Sequence, residues 1–120
     1  FKAIRSSLSV GGALIFDISS EYKLRTVIGN NVFCYDGDDV SYIWFNTLSD
    51  ESVTMELSVF ERKGNLYEKR EEVHKQYIHG KDFVLNALKE CGFNVELVCG
   101  ALGEELTDKS ERIVFVAVKE

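Results

Sequence analysis

The chain has 120 residues, a net charge of −6 and 45% hydrophobic residues, a composition typical of one compact soluble domain. No apolar run approaches the roughly 20 residues that a membrane-spanning helix requires, so no membrane association is expected. Its 20 acidic residues outnumber 14 scattered basic ones, which argues against nucleic acid as a partner. No secretory signal is recognisable at the start, so we expect a cytoplasmic location.

The three cysteines, Cys34, Cys91 and Cys99, form neither a disulfide pattern nor a metal-binding pattern. Their number is odd, and no C-x-x-C spacing occurs. We therefore expect no metal site and three reduced thiols that pack as small apolar side chains. Reduced thiols also favour a reducing compartment.

Helix and strand signals alternate at the start of the chain. Phe1, Ile4 and Leu8 follow helical spacing with no N-cap residue ahead of them, so we expect this helix to begin upstream in a longer chain. A glycine pair ends the helix. The apolar run Ala13–Phe16 does not alternate, which is typical of a strand covered on both faces. This succession predicts an α/β sheet covered by helices.

A short helix over residues 21–28 is predicted next, with Ser20 as its cap. The acidic stretch over residues 34–39 is predicted to form turns.

The middle of the chain changes to a period of two, which predicts antiparallel strands. Apolar and polar residues alternate over residues 53–59, whereas residues 40–45 are apolar on both faces. A glycine hairpin at residues 63–65 leads into a charged strand over residues 66–78. We therefore expect a three-stranded meander. A helix over Glu68–Gln76 is the alternative, because glutamate and lysine favour helices.

The last third of the chain returns to the α/β pattern. A helical stripe over residues 83–91 ends at the C-cap Gly92, and an alternating strand over residues 93–99 follows. Residues 100–109 are predicted to form a loop, and residues 113–118 a second buried strand.

This order of elements resembles the class I S-adenosylmethionine-dependent methyltransferases. The stretch AIRSSLSVGGALIFDI is similar to the helix, glycine turn and fifth strand of that family, with Ser9-Val10 where Lys-Pro is common. The stretch NALKECGFNVELV is similar to the family's later helix, turn and sixth strand. The stretch DKSERIVFVAVKE is similar to its closing antiparallel strand, which inserts between the fifth and sixth. The resemblance implies the C-terminal half of such an enzyme.

The middle of the chain resembles the β insertion that a bacterial small-molecule branch of this family carries as a lid over the substrate pocket. The stretches DISSEYKL, VSYIWFN and EEVHKQY lie where the motifs of that branch would fall. The resemblance thus implies an α/β fold with a partial Rossmann-like sheet formed by residues 1–36 and 79–120. Residues 37–78 would then form an inserted three-stranded antiparallel meander that acts as the lid.

The same resemblance implies S-adenosylmethionine as the cofactor of a full-length parent and a small molecule as its methyl acceptor. The family binds the cofactor through a glycine-rich turn that follows its first strand. Here Gly11-Gly12 precedes a strand, and no G-x-G-x-x-G motif occurs. We therefore expect this chain alone to bind no cofactor and to be inactive.

Methyl transfer requires a positioned acceptor and the exclusion of water, so aromatic and polar lid residues are the candidate site. His74 is the candidate general base, because histidine side chains exchange protons near neutral pH. The candidate substrate-binding residues that line the predicted pocket are Tyr42, Trp44, Asn46, Glu72 and Gln76. Asp17 is a further candidate, at the carboxyl edge of the first core strand.

Each of these assignments has a structural alternative. Tyr42 and Trp44 could form the core of the meander, and His74 could be a solvated member of a charged strand face. The pair Glu71-Glu72 could be a solvated charge run. Asp17 either lies at the ligand-binding carboxyl edge of its strand or caps the helix that follows.

The edge of the Ala13–Phe16 strand would pair with a fourth strand that this chain lacks. An apolar, unpaired edge favours association, so we expect self-association through this strand as a dimer or by strand exchange. A different hypothesis is a stand-alone, non-catalytic α+β module for binding or dimerisation. A third is an unrelated acidic α+β domain.

Overall fold

The computed structural model describes residues 1–120 and contains two β-sheets. The chain divides into two compact units. The core unit comprises Phe1–Lys23 and His79–Glu120, and the inserted unit comprises Leu24–Ile78. No helix in the chain has both the length and the apolar character needed to cross a membrane.

The elements, in chain order, are α1 (Lys2–Ser7), β1 (Ala13–Ser19), a π-helix (Lys23–Ile28), β2 (Val32–Asp36), β3 (Val40–Leu48), β4 (Ser52–Lys63), β5 (Leu66–Tyr77), α2 (Lys81–Glu90), β6 (Phe93–Cys99), a 3₁₀ turn (Ala101–Gly103) and β7 (Arg112–Lys119).

The sheet of the core unit has the strand order β1-β7-β6. The closing strand β7 is antiparallel to both neighbours, and Phe115 lies opposite Phe16 on one side and Val98 on the other. The strands β1 and β6 are therefore parallel to each other. This arrangement confirms the predicted insertion of the last strand between the other two.

Alternating residues of β7 form the centre of the core. Phe115 and Ala117 are fully buried and pack with Leu88 of α2 and Phe93 of β6. The ring of Phe16 stacks on Phe115 with 5.1 Å between ring centroids. These contacts join α2, β1, β6 and β7 into one hydrophobic core.

The strand β1 is covered on one face, which corrects the prediction that both faces are covered. Its residues alternate between exposed and half-buried positions, and Ile15 is 66% exposed. On the same face Leu97 of β6 is 52% exposed. Phe1, just ahead of α1, contacts Phe16 on the opposite face, where α2 also packs. The core unit therefore has an apolar sheet face that none of its own helices covers.

The inserted unit contains a four-stranded antiparallel sheet in the order β2-β3-β4-β5, one strand more than predicted. The additional strand β2 includes the start of the acidic stretch that was predicted to form turns. Its residue Tyr35 lies opposite Tyr42, and the two rings stack with centroids 5.9 Å apart. The turn itself is confined to residues 37–39, where the Ser41 hydroxyl donates to Asp36 and accepts from the Gly37 amide.

The helix predicted over residues 21–28 is present as a π-helix over Lys23–Ile28. Ser20 caps it as predicted, because its hydroxyl accepts a hydrogen bond of 3.0 Å from the Lys23 amide. Leu24 and Ile28 pack against Val53 in the core of the inserted unit.

Truncation of the central aromatic residue tests this account of the core. We expect Phe115→Ala to lower the free energy of unfolding by about 3–5 kcal/mol, because it leaves a cavity between β7 and α2. The matched control is Leu66→Ala at the exposed hairpin, with an expected change within about 0.5 kcal/mol. Urea unfolding measures both values, and equal losses would contradict this assignment of the core.

Candidate functional site

The strand register places six of the seven predicted site residues on one face of the second sheet. Residues directly opposite each other in an antiparallel sheet point to the same side. Trp44 lies opposite Leu57, which lies opposite Glu72. We call this side the tryptophan face; it carries Tyr42, Trp44, Asn46, Glu72, His74 and Gln76.

On the tryptophan face, the predicted site residues of β3 and those of β5 do not contact each other directly. Asn46 of β3 and His74 of β5 both lie opposite Met55 of β4, which separates them. Two strand spacings correspond to about 9–10 Å. A small molecule on this face would therefore lie across β4 to contact both groups.

Trp44 and Asn46 are held within the core of the inserted unit. Trp44 packs against the buried cluster of Leu24, Ile28 and Val53, and its ring lies 4.9 Å from that of Phe33. Their positions are fixed by packing, so this end of the face is rigid.

The Asn46 side chain is only 5% exposed and has one unused acceptor. Its Nδ2 donates to the backbone oxygen of Asn31 at 3.0 Å, while its buried Oδ1 has no hydrogen-bond partner in the protein. A buried carbonyl oxygen without a donor is costly, and native structures contain few such groups. Through its Nδ2 hydrogen bond, the Asn46 side chain connects β3 to the segment after the π-helix.

The other end of the tryptophan face is open. Tyr42 is half-buried beneath its stacking partner Tyr35, which is 57% exposed. The stacked pair offers an aromatic surface with two phenolic groups. Such surfaces bind flat or ring-shaped ligands by contact and orient them by hydrogen bonding.

The candidate residues on β5 are all exposed. The Nε2 atom of His74 lies 3.1 Å from Oε2 of Glu72, and Gln76 follows on the same side. The Glu72 carboxylate can hold the imidazole ring in one orientation, which is the role of the partner of a general base. In the inserted unit alone, these groups are open to water.

Asp17 lies within β1 rather than at its end, and its carboxylate is already engaged. Its Oδ2 accepts from Nη2 and Nε of Arg112 at 3.0 and 3.1 Å, and Arg112 also donates to the Ser19 hydroxyl. Asp17 therefore does not cap the next helix, since Ser20 fills that role. The strand continues through Ser19 because β7 pairs with it as far as Arg112.

The carboxyl edge of the core sheet holds a polar cleft that the sequence analysis did not identify. The cleft has a volume of about 270 Å³ and lies beside the end of β1, the start of α2 and the loop before β7. Its lining consists mostly of hydroxyl and charged groups: Ser20, Glu21, Tyr22, Lys81, Leu106, Thr107, Asp108, Ser110 and Ile113. The only sequence signal was its position directly after a core strand, where ligands of open α/β sheets bind.

The cysteine environments differ from one another. Cys99 is buried and Cys91 half-buried, but Cys34 is exposed, because it lies on the side of β2 opposite the tryptophan face. The expectation that all three thiols pack internally is therefore wrong for Cys34. No group of three or more His, Cys, Asp or Glu residues is arranged to hold a metal ion.

Comparison with known proteins identifies the fold. No protein-family model matches the chain. The candidate methyltransferase YqeM of Bacillus subtilis is 34% identical over 122 residues, which cover 99% of this chain and 49% of YqeM. A candidate methyltransferase of Geobacillus sp. is 33% identical over 123 residues, or 50% of its length. The crystal structure of an S-adenosylmethionine-dependent methyltransferase from Clostridium acetobutylicum superposes with a TM-score of 0.93 at 34% identity.

The chain is similar to one half of S-adenosylmethionine-dependent methyltransferases. It spans about half the length of the relatives it matches. The superposition with the Clostridium enzyme covers 98% of this chain but only 48% of that enzyme. The methyltransferase CcbJ of Streptomyces caelestis, at 12% identity, shares the fold with a TM-score of 0.82. The chain therefore has a partial methyltransferase fold, which agrees with the resemblance and with the strand order β1-β7-β6.

Asn46 provides a test of how rigidly the methyltransferase-related chain holds its tryptophan face. We expect Asn46→Asp to lower the free energy of unfolding by about 1–3 kcal/mol, because a carboxylate cannot donate to the Asn31 carbonyl. Asn65→Asp makes the same chemical change at an exposed hairpin position and is expected to change stability by no more than about 0.5 kcal/mol. Urea titration compares the two, and a neutral Asn46→Asp would contradict the structural role of this amide.

Proposed function

We propose that this chain is the C-terminal, acceptor-binding half of an S-adenosylmethionine-dependent methyltransferase that acts on a small molecule. The observation that supports the proposal is an alignment over 99% of the chain, at 34% identity, with half of a candidate methyltransferase. The strand order β1-β7-β6 agrees with it, because the closing strand of that fold lies between its neighbours. A cytoplasmic location forms part of the proposal.

The cofactor site belongs to the half of the fold that this chain lacks. Cofactor binding in this fold needs a glycine-rich turn between a strand and a helix, which exposes backbone amides to the ligand. The chain has no G-x-G-x-x-G turn, and β1 is followed by Ser20, whose hydroxyl is used as a helix cap. The residues present therefore do not fit the cofactor.

The cofactor, held by the other half of the full-length protein, would supply the methyl group, so this chain would mainly orient the acceptor and exclude water. Within the inserted unit, the aromatic pair Tyr35 and Tyr42 is the proposed acceptor-binding surface, with Trp44 and Asn46 as its rigid support. Within the core unit, the polar cleft at the carboxyl edge is the proposed contribution, and Asp17, whose carboxylate is held by Arg112, is a further proposed acceptor contact.

His74 is the proposed general base. It would take the acceptor's proton as the new bond forms, oriented by the Glu72 carboxylate at 3.1 Å, with Gln76 as a further acceptor contact. The inserted unit, which contains the predicted lid residues 37–78, would serve to exclude water from the reacting groups.

We also propose a role for the unpaired outer edge of β1 in the core unit. In the full-length protein it would pair with a strand of the other half. In the isolated chain it would instead support self-association, because unpaired apolar edges template further strands.

Binding of the cofactor tests the division of labour between the halves. We expect calorimetry to detect micromolar S-adenosylmethionine binding by the full-length protein and none by this 120-residue chain, because the glycine-rich turn lies elsewhere. A full-length protein without this binding would support a non-catalytic module instead. Micromolar binding by the chain alone would refute the assignment of the cofactor site.

Acceptor binding by the aromatic pair can be tested in the full-length protein with tritium-labelled cofactor and a metabolite extract. At limiting extract we expect Tyr42→Ala to slow label transfer about three- to tenfold, with recovery at saturating extract, because one stacking surface is lost. Tyr67→Ala on the opposite face is the control and should leave the rate unchanged.

The same assay distinguishes acceptor binding from proton transfer. We expect His74→Asn to lower the rate about a hundredfold at every extract concentration, because saturation cannot replace a missing base. A Tyr42→Ala variant with wild-type behaviour would contradict the proposed acceptor surface, and an active His74→Asn variant would contradict the proposed base.

A further inference from the structure

The strand β5 is a long sheet edge with no partner on its outer side. It pairs only with β4, in a continuous register from Leu66 opposite Lys63 to Tyr77 opposite Ser52. All of its 12 residues are exposed. Proteins protect such an edge with charged side chains, a proline, a bulge or a short strand, and of these β5 has only the charged side chains. Its unpaired backbone amides and carbonyls are therefore available only to a strand whose charges are compatible with its own.

The charge pattern of β5 allows it to pair with a second copy of itself. Two identical antiparallel strands related by a two-fold axis place one residue directly opposite itself. If that residue is Lys69, Arg70, Glu71 or Glu72, two identical charges meet at the axis, which destabilises the pair. Charge repulsion therefore excludes all four of these registers.

The register centred on Val73 contains no pair of like charges. Val73 meets Val73 of the second copy, and the pairs that flank it are Glu72 with His74, Glu71 with Lys75, Arg70 with Gln76 and Lys69 with Tyr77. Each pair occurs twice because of the symmetry, and none joins like charges. A centre at His74 also avoids like charges at the axis, but it forms no opposite-charge pair.

We propose that two copies of this protein associate through their β5 strands, antiparallel and centred on Val73, to join two four-stranded sheets into one continuous sheet. The backbone groups of the edge supply the hydrogen bonds, as in other cases of strand addition. The charged side chains select this register.

The side chains on the face of β5 opposite the tryptophan face favour this contact. Val73, 68% exposed in the single copy, would have apolar surface covered by its symmetry mate. On the same face, Lys69 lies 2.8 Å from Glu71. The hydrogen bond and charge of Lys69 lower the pKa of the Glu71 carboxyl, which keeps it ionised as a partner for Lys75.

Edge pairing brings the β5 side chains of both copies together on the tryptophan face. The hydrogen bonds of the pairing use backbone groups in the plane of the sheet, whereas Glu72, His74 and Gln76 project from it, and Glu72 of each copy lies opposite His74 of the other. The dimer does not depend on methyl transfer. The dimer can be tested without knowledge of the acceptor.

A charge exchange across the axis tests the register in the full-length protein. We expect sedimentation velocity to show a concentration-dependent dimer for the natural sequence. Either Glu71→Lys or Lys75→Glu would weaken it about tenfold or more, because each places two like-charged pairs opposite each other. The double variant Glu71→Lys/Lys75→Glu restores both pairs with reversed polarity and should return the dissociation constant to within about threefold of the original.

Lys63→Glu is the matched control, since it reverses an exposed charge beyond the paired stretch and should leave the dimer unchanged. Thermal melting of every variant confirms that it folds. A natural sequence that stays monomeric up to about 100 µM would overturn the proposal. So would single variants that dimerise normally, or a double variant that is no stronger than the single ones.

Discussion

The antiparallel insertion of β7 between β1 and β6 is the constraint on which the core unit depends. It joins residues that are almost the length of the chain apart, since Ala13 lies opposite Val118 and Ser19 opposite Arg112. The alternating apolar residues of β7 supply the centre of the core, where Phe115 is completely buried. Without this strand, β1 and β6 would have no hydrogen-bonding partner in the chain, and α2 would have little surface to cover.

The same pairing explains how the chain accommodates a long insertion. Because the two segments of the core unit are joined by their own strand pairs, the 55-residue stretch Leu24–Ile78 can fold around a separate small core. The cost of closing such a loop grows only slowly with its length. The insertion begins directly after the cap at Ser20, at the carboxyl edge of the sheet, so the polar cleft and the start of the inserted unit are adjacent in sequence.

The core unit has unsatisfied surfaces of the kind expected of half a fold. One sheet face exposes Ile15 and Leu97, and the outer edge of β1 is unpaired. An α/β sheet is normally covered by helices on both faces. The inserted unit differs, since its open edge β5 is charged and self-complementary rather than apolar. The partners proposed for the two edges therefore differ: a missing strand for β1 and a symmetric copy for β5.

Local patterns in the sequence determined the type of most elements, because apolar periodicity reflects which face of a helix or strand is buried. They predicted the strands around Phe16, Val98 and Phe115, and the resemblance supplied their order. Other features arose from pairing across the chain, which local patterns do not encode. The strand β2 forms because β3 offers it a partner, and Asp17 is engaged because Arg112 lies beside it in the register. The tertiary structure alone placed Asn46 and His74 on one face with a strand between them, since strand register is decided by long-range packing.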